Sequence, residues 1–366
     1  MALPMSWVIQ TLLSQDGLHY IDKPMMYNDG IQIHSSPGQM LITRTPYRFS
    51  FYGGGLDYPE WHSKNAARVL CAGLDYYCYQ TVRILPPFFD HKYRAAYSKV
   101  ESTSNLDEIE HPAVREIVRA YGKGKPLEIS HVGDLPAKSG IGSSSAFSVG
   151  LINSLTALNG QFMGRSALAN ASIKLEQQAM GERVGFQDQC AAAFGGVVLI
   201  EADRQGIQPR RFVSRSEYID YIADNLLMGF DGIERLSSVA SSRISESITE
   251  EKNKALLLEL ATVSDLGISA FSGEADIQQH AFLTKEARNI KLHLNGDNHN
   301  NRINELIEAT ERAGSLCTRI MGAGGGGFFV CWAPKHKHTK IMESVNIRTW
   351  VNVRFSRNGS QVIFAE

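Results

Sequence analysis

Residues 127 to 158 read LEISHVGDLPAKSGIGSSSAFSVGLINSLTAL, and no other segment of the chain restricts its fold as much. Leu127 to Val132 alternates apolar and polar residues as a short strand does. The loop that follows carries Pro136, Lys138, Gly140 and Gly142. From Ser143 onward Phe147, Leu151, Ile152, Leu155 and Leu158 recur near helical spacing, with serines available to cap the helix. A strand, a glycine loop and a helix in that order can form an anion site. Glycines let the backbone turn its N–H groups inward, and the helix N-terminus adds unpaired N–H groups and the positive end of its dipole. Ser143, Ser144 and Ser145 then stand where hydroxyls would meet a phosphate or a magnesium ion bridging phosphates. A Gly/Ser turn that only caps a helix has the same spelling, and the loop alone does not separate the two.

Two further segments are poor in side-chain bulk. Tyr52 to Tyr58 reads YGGGLDY, with Gly54, Gly55 and Asp57, and Met321 to Phe329 reads MGAGGGGFF, with Gly324, Gly325 and Gly326. The second matches G-x-G-x-x-G through Gly322, Gly324 and Gly327. A dinucleotide fingerprint follows a strand and opens a helix, whereas this run is expected to follow a helix and open the strand FFVCW. Such a loop instead lets backbone approach a ligand or another loop closely. Three loops of this kind suggest one shared cleft. Neither G-x-x-x-x-G-K-[ST] nor the protein-kinase H-R-D-L-x-x-x-N set occurs, which disfavours a P-loop enzyme and a protein kinase. In such a cleft an acidic residue would hold metal or accept a proton. Asp188 is flanked by small and amide residues, while Glu176 by spacing alone reads as an ordinary helix residue.

Around these loops the pattern is mixed. Strands are expected from Met40 into the YGGG turn, within 66 to 100, at Val197 to Ala202, at Phe328 to Trp332 and at Val351 to Phe355. Helices are expected at 111 to 122, 143 to 158, 166 to 180, 235 to 270 and 302 to 319. The reading is an α+β chain in two lobes: an irregular extension over 1–40, one lobe over 41–205 and a second over 206–366. The formal net charge of −1 and the absence of a dense Lys/Arg block leave no footprint for nucleic acid or an anionic membrane surface. The five cysteines are scattered without C-x-x-C pairs, which fits reduced thiols. No run approaches the ~18 apolar residues of a membrane span, and the N-terminus lacks a signal-peptide pattern. A cytoplasmic protein, monomeric or homodimeric, is expected.

In order and separation the three loops resemble those of the galactokinase, homoserine kinase, mevalonate kinase and phosphomevalonate kinase (GHMP) superfamily, from about residue 41 to the end. Thr45 to Tyr58, TPYRFSFYGGGLDY, lines up without gaps with the first motif, A-P-G-R-V-N-L-I-G-E-H-T-D-Y. Pro136 to Ala146 resembles the second, phosphate-binding motif, and Gly322 to Gly327 the third. Gly54 and Gly55 replace the Glu-His pair of galactokinase. That replacement is similar to the branch of D-glycero-D-manno-heptose 7-phosphate kinases and fucokinase-like sugar kinases. Gly229 to Ser238 is similar to that branch's T-G-x-x-R-x-S pattern, with Asp231 at the Thr, and Leu56 stands at another of its Thr positions.

The resemblance implies a two-lobed fold with a ribosomal-protein S5 domain 2-like N-terminal lobe and a ferredoxin-like C-terminal lobe. It implies that Asp188 faces the substrate hydroxyl as base or orienting carboxylate and that Arg48 stabilises charge beside it. Ser144 and Glu176 would hold Mg2+, Pro136 to Ser145 would bind ATP, and Asp57, with Gly54, Gly55 and Gly324 to Gly326, would meet the sugar. Arg235 is a candidate for a distal phosphate. The expected activity is ATP- and magnesium-dependent transfer to a hydroxyl of a sugar or sugar phosphate, with D-glycero-D-manno-heptose 7-phosphate first and the anomeric hydroxyl as target. A fucose- or galactose-type kinase on a free sugar is the alternative within the class, and a catalytically silent sugar or nucleotide sensor the alternative outside it.

Overall fold

The computed structural model describes residues 39–233, 245–294, 301–322 and 326–366. The expected extension over 1–40 therefore lies almost wholly outside the described residues, as does the second half of the GFDGIERLSS segment, 234–238. Strand β1 (Met40–Tyr52) runs antiparallel along the whole of β2 (Ala67–Ile84). The far edge of β2 is shared: β5 (Leu127–Gly133) pairs with its C-terminal half and β6 (Val197–Asp203) with its N-terminal half. β3 (Tyr93–Ala96), β4 (Val100–Thr103) and β7 (Gly206–Arg211) extend these edges, and β12 (Gln361–Ala365) closes the other side against β1. This eight-stranded sheet carries α2 (Pro112–Tyr121), α3 (Ser143–Leu158), α4 (Arg165–Lys174) and α5 (Gln187–Phe194) on one face. Along β1, Leu41, Thr43 and Thr45 are buried while Ile42 and Arg44 are half-exposed, as the alternation requires. Past Pro46 every residue of β1 is buried, because the helix Lys254–Ser272 covers the second face there.

The second sheet is antiparallel in the order β11-β8-β10-β9, from β8 (Leu226–Phe230), β9 (Cys317–Ile320), β10 (Phe328–Trp332) and β11 (Thr349–Asn352). With α9 (Asn301–Ala313) between β8 and β9, and α10 (His338–Glu343) between β10 and β11, the path is βαββαβ, the ferredoxin-like arrangement. Two more helices, α7 (Lys254–Ser272) and α8 (Ile277–Leu294), are inserted after β8 and lie between the sheets. FFVCW shows the consequence. Phe328, Val330 and Trp332 join the large core, while Phe329 and Cys331 join a smaller one with Ile303, Leu306 and Ile341 of α9 and α10. A strand covered on both faces is apolar throughout rather than alternating.

Three expectations change. The 302–319 helix stops at Ala313, and Cys317 to Ile320 is a strand, so MGAGGGG joins two antiparallel strands and does not follow a helix. Helix 166–180 is α-helical only to Lys174 and π-helical from Leu175 to Ala179. The sheets do not divide at residue 205: β7 and β12 both belong to the first, since Gly206–Arg211 completes a hairpin with β6 and the C-terminus returns to pair Ala365 with Leu41. Glu251–Ser272, which contains α7, is long and apolar enough by composition to span a membrane. Leu257, Leu260, Ile268 and Phe271 are nevertheless buried inside the protein, as in a core helix. A short helix α6 (Ser216–Asp224) leads into β8.

Phe271 joins the lobes: its ring lies 5.0 Å from Phe51 of β1, 5.5 Å from Phe212 and 5.4 Å from Tyr218 of α6. Phe271→Ala is expected to cost about 3–5 kcal/mol of unfolding free energy. The readout is a lower denaturant midpoint at unchanged slope.

Candidate active site

Pro46 has no N–H to give the ladder, and the β1–β2 register slips between Pro46 and Arg48. A bulge of this kind re-aims the residues that follow it. Arg48 uses the freedom twice: its N–H donates to the Ile141 carbonyl at 2.8 Å, and its side chain turns to Asp188. There Nε donates to Oδ1 at 2.6 Å and an η nitrogen to Oδ2 at 3.1 Å, while the other η nitrogen donates to the Gly140 carbonyl at 3.0 Å. Burial opposes the Arg48 charge, but Asp188 more than compensates and holds the guanidinium above its ordinary pKa. Asp188 sits in the first turn of α5, where the helix dipole favours a carboxylate.

Gly140 (φ 84°) and Gly142 (φ 70°) both take the left-handed conformation. A Cβ on Gly142 would stand 3.0 Å from Asp188 Oδ2, so the loop lies directly on the Arg48–Asp188 pair. Gly142 precedes α3 without a side-chain cap, leaving the first N–H groups of the helix for a ligand. Ser143 instead accepts from the Lys138 N–H at 3.2 Å, and Ser139 Oγ donates to the Pro136 carbonyl at 2.6 Å. The third loop meets this one. Phe328 N–H donates to the Ser139 carbonyl, and Cβ atoms on Gly322 or Gly327 would come within 2.8 Å of Gly140 Cα or 2.5 Å of the Ser139 carbonyl oxygen. Gly326 is described, while Gly324, Gly325 and Arg235 lie outside the described residues. Asp231 is buried, and its Oδ1 accepts from the N–H groups of Gly327 and Ile233 at 2.9 and 2.8 Å.

Glu176 lies in the π-helical turn and is 1% exposed. Its carboxylate accepts from Ser145, Ser172 and Gln189 at 3.0, 3.2 and 2.7 Å. The sequence pairs Glu176 with Ser144, whereas the structure bonds it to Ser145 and leaves Ser144 exposed at the head of α3. Burial raises the Glu176 pKa to about 7, against the hydrogen bonds from Gln189 and Ser145. Among the described residues no cation pairs with it. A buried carboxylate lacking a counter-ion, with a serine hydroxyl on the same cleft wall, fits the sparse protein ligation that Mg2+ accepts when phosphates complete its shell.

Arg48, Asp188, Gly140, Gly142, Ser143 to Ser145, Glu176 and Gly322 line one cleft of about 990 Å³. At the Asp57 end, Gly55 N–H donates to Asp57 Oδ1 at 2.8 Å, and burial raises the Asp57 pKa against that bond. Gly185 presses on the same carboxylate, since a Cβ there would lie 1.9 Å from Oδ2. Leu56, by contrast, is fully buried and does not reach the cleft. The sequence reading named Asp57, Gly54 and Gly55 but missed other residues at both ends of the cleft. Beyond the loop, His111 and His131 each place a ring 5.2 Å from Phe147, with Tyr97 4.7 Å from His111. Beside Gly54 stand Lys291 of α8 and Arg319 of β9, which no motif spacing marks.

The description "GHMP kinases N terminal domain" matches residues 109–196. D-glycero-alpha-D-manno-heptose 7-phosphate kinase of Campylobacter jejuni is 24% identical over 324 residues, 83% of this chain and 93% of the relative. Mevalonate kinase of Pyrococcus furiosus is 23% identical over 252 residues, 66% of this chain and 70% of the relative. Among solved structures, a D-glycero-D-manno-heptose 1-phosphate kinase from Bacteriodes thetaiotaomicron superposes at TM-score 0.65 with 18% identity, covering 88% of this chain and 98% of that one. Lactococcus lactis galactokinase, complexed with galactose, superposes at 0.67 with 17% identity over 88% and 95%. Fold and relatives together define a phosphotransferase. Residues 109–196 match the N-terminal domain of the GHMP kinases, and the fold is the one these kinases share.

The Glu176 carboxyl yields a pH test. Its folded pKa of about 7 lies above the ordinary 4.5, so the native state holds the proton more tightly. Its contribution is then fully present below about pH 4.5 and lost as pH rises through 7. Glu176→Gln removes that dependence. Relative to this variant, the wild type is expected to lose on the order of 3 kcal/mol between pH 4.5 and pH 7, measured by chemical denaturation at several pH values.

Proposed function

We propose that the protein transfers the γ-phosphoryl group of ATP to a hydroxyl of a sugar or sugar phosphate. The observation that carries the proposal is the two-pronged Arg48–Asp188 pair lying against Gly142 at the head of α3. Phosphoryl transfer needs positioning and charge neutralisation more than covalent chemistry, and these parts supply both. The triphosphate lies along Lys138 to Ser145, with the free N–H groups of α3 as donors, and the base rests among Tyr97, His111, His131 and Phe147. The substrate hydroxyl is held by Asp57 and the backbone of Gly54 and Gly55, pointed at Asp188. Its oxygen attacks the γ-phosphorus in line, its proton passes to Asp188, the bond to the β-phosphate oxygen breaks, and ADP leaves. Arg48 keeps Asp188 in place and offsets charge on the transferring group. Glu176 and Ser144 would hold a magnesium ion that neutralises phosphate charge. The heptose 7-phosphate kinase relative supports a heptose 7-phosphate acceptor, and the anomeric hydroxyl is the target we propose.

Nucleotide consumption over a panel of sugars and sugar phosphates tests the reading. Asp188→Asn is expected to lower kcat by roughly 10²–10⁴-fold while nucleotide affinity, read by calorimetry, stays within a few-fold. Undiminished turnover in this variant removes Asp188 from the mechanism.

A further inference from the structure

Next to the proposed transfer pair, the cleft carries positive charge that the transfer step does not use. Lys291 projects from α8 and Arg319 from β9, and both line the cleft. A Cβ on Gly54 would lie 3.6 Å from Lys291 Nζ, 3.6 Å from Gln187 Oε1 and 3.2 Å from Ser50 Oγ, so the ammonium reaches the glycine loop. Arg319 donates to the Ser50 carbonyl, its Cζ stands 5.6 Å over the Phe49 ring, and its Nε is buried without a hydrogen-bond partner. Arg288, one turn before Lys291, differs: it is committed to Glu311 and the Thr318 carbonyl, both at 2.6 Å. Among the described residues no carboxylate lies within ion-pairing distance of Lys291 or Arg319, and Asp188 is already paired with Arg48.

We propose that Lys291 and Arg319 form an anion subsite that selects an acceptor already bearing a phosphate or carboxylate group. Beside the Arg48–Asp188 pair, the cations Lys291 and Arg319 stand with Asp57 as the nearest remaining carboxylate, an excess of positive charge that an acceptor anion would reduce. Burial, with Arg319 nearby, brings the Lys291 pKa down to about 8, and burial brings Arg319 down to about 10. Both shifts are those of desolvated cations without an ion-pair partner, with Asp57 partly opposing that of Lys291. The glycines at 54 and 55 have a second use here: a side chain at 54 would stand between the ammonium and the ligand. The proposal rests on the kinase reading and deepens it by naming the residues that sense the acceptor's charge.

The test compares D-glycero-D-manno-heptose 7-phosphate with the free heptose as acceptors, in wild type, Lys291→Met and Lys291→Arg. Charge-assisted hydrogen bonds of this kind discriminate by roughly 10–100-fold each. The wild type is expected to favour the phosphorylated sugar in kcat/KM, Lys291→Met to reduce that preference by 10–100-fold, and Lys291→Arg to restore part of it. A structural role for Lys291 would lower both acceptors together and leave the ratio unchanged, which overturns the proposal. So does a wild type that prefers the free sugar. A binding arm is independent of turnover. With a non-hydrolysable ATP analogue filling the phosphate loop, inorganic phosphate is expected to raise the Tm of wild type and not that of Lys291→Met. Equal shifts in both overturn the subsite, whereas absence of ATP consumption with every acceptor strikes the kinase reading and leaves this arm standing.

Discussion

The salt bridge between Arg48 and Asp188 organises the cleft. It joins β1 to the N-terminus of α5, and through the Gly140 carbonyl and the Ile141 acceptor it also fixes the loop before α3. Three elements of the first lobe thus converge on one guanidinium. A buried pair of this type contributes little net stability once desolvation is counted. Its value is geometric: the planar fork admits one orientation of the carboxylate, and it is carried by the residue that follows the register shift at Pro46.

Around this pair the chain uses glycine for contact. Gly140, Gly322 and Gly327 meet at distances no Cβ tolerates, which brings the loop before α3 and the turn between β9 and β10 into backbone contact. The second lobe is therefore attached to the loop before α3 at a point without side chains. Gly142 and Gly185 do the same for the Asp188 and Asp57 carboxylates. The ordering entropy of so many glycines is offset by a cleft whose walls are main chain.

Much of this was legible in the sequence, where local pattern and tertiary role agree. LEISHV and the helix from Ser143 to Leu158 appear where their periodicity places them, and the three loops line one cleft. The failures have physical causes. CTRI reads as helix because four residues carry no period, and only pairing with β10 makes them a strand. Glu176 reads as an exposed helix position because a π turn, which rotates it inward, has no signature in spacing. Lys291 lies on a half-exposed helix face whose polar residues look like ordinary solvent contacts, and nothing local records that α8 is sandwiched between two sheets. Long-range placement, not propensity, decides each of these.

That sandwich separates the two tasks of the cleft. The proposed transfer pair and phosphate loop stand on β1, α3 and α5 of the first lobe, while Lys291 and Arg319 stand on α8 and β9 of the second. Contact between the lobes is made by Arg319 at the Ser50 carbonyl, by Phe271 against Phe51, and by the glycine seam. None of these depends on the identity of residue 291. The charge at that position can therefore change without moving the carboxylate, the guanidinium or the phosphate loop. A fold divided in this way can keep one phosphoryl-transfer geometry and vary its acceptor through a helix that the transfer step never touches.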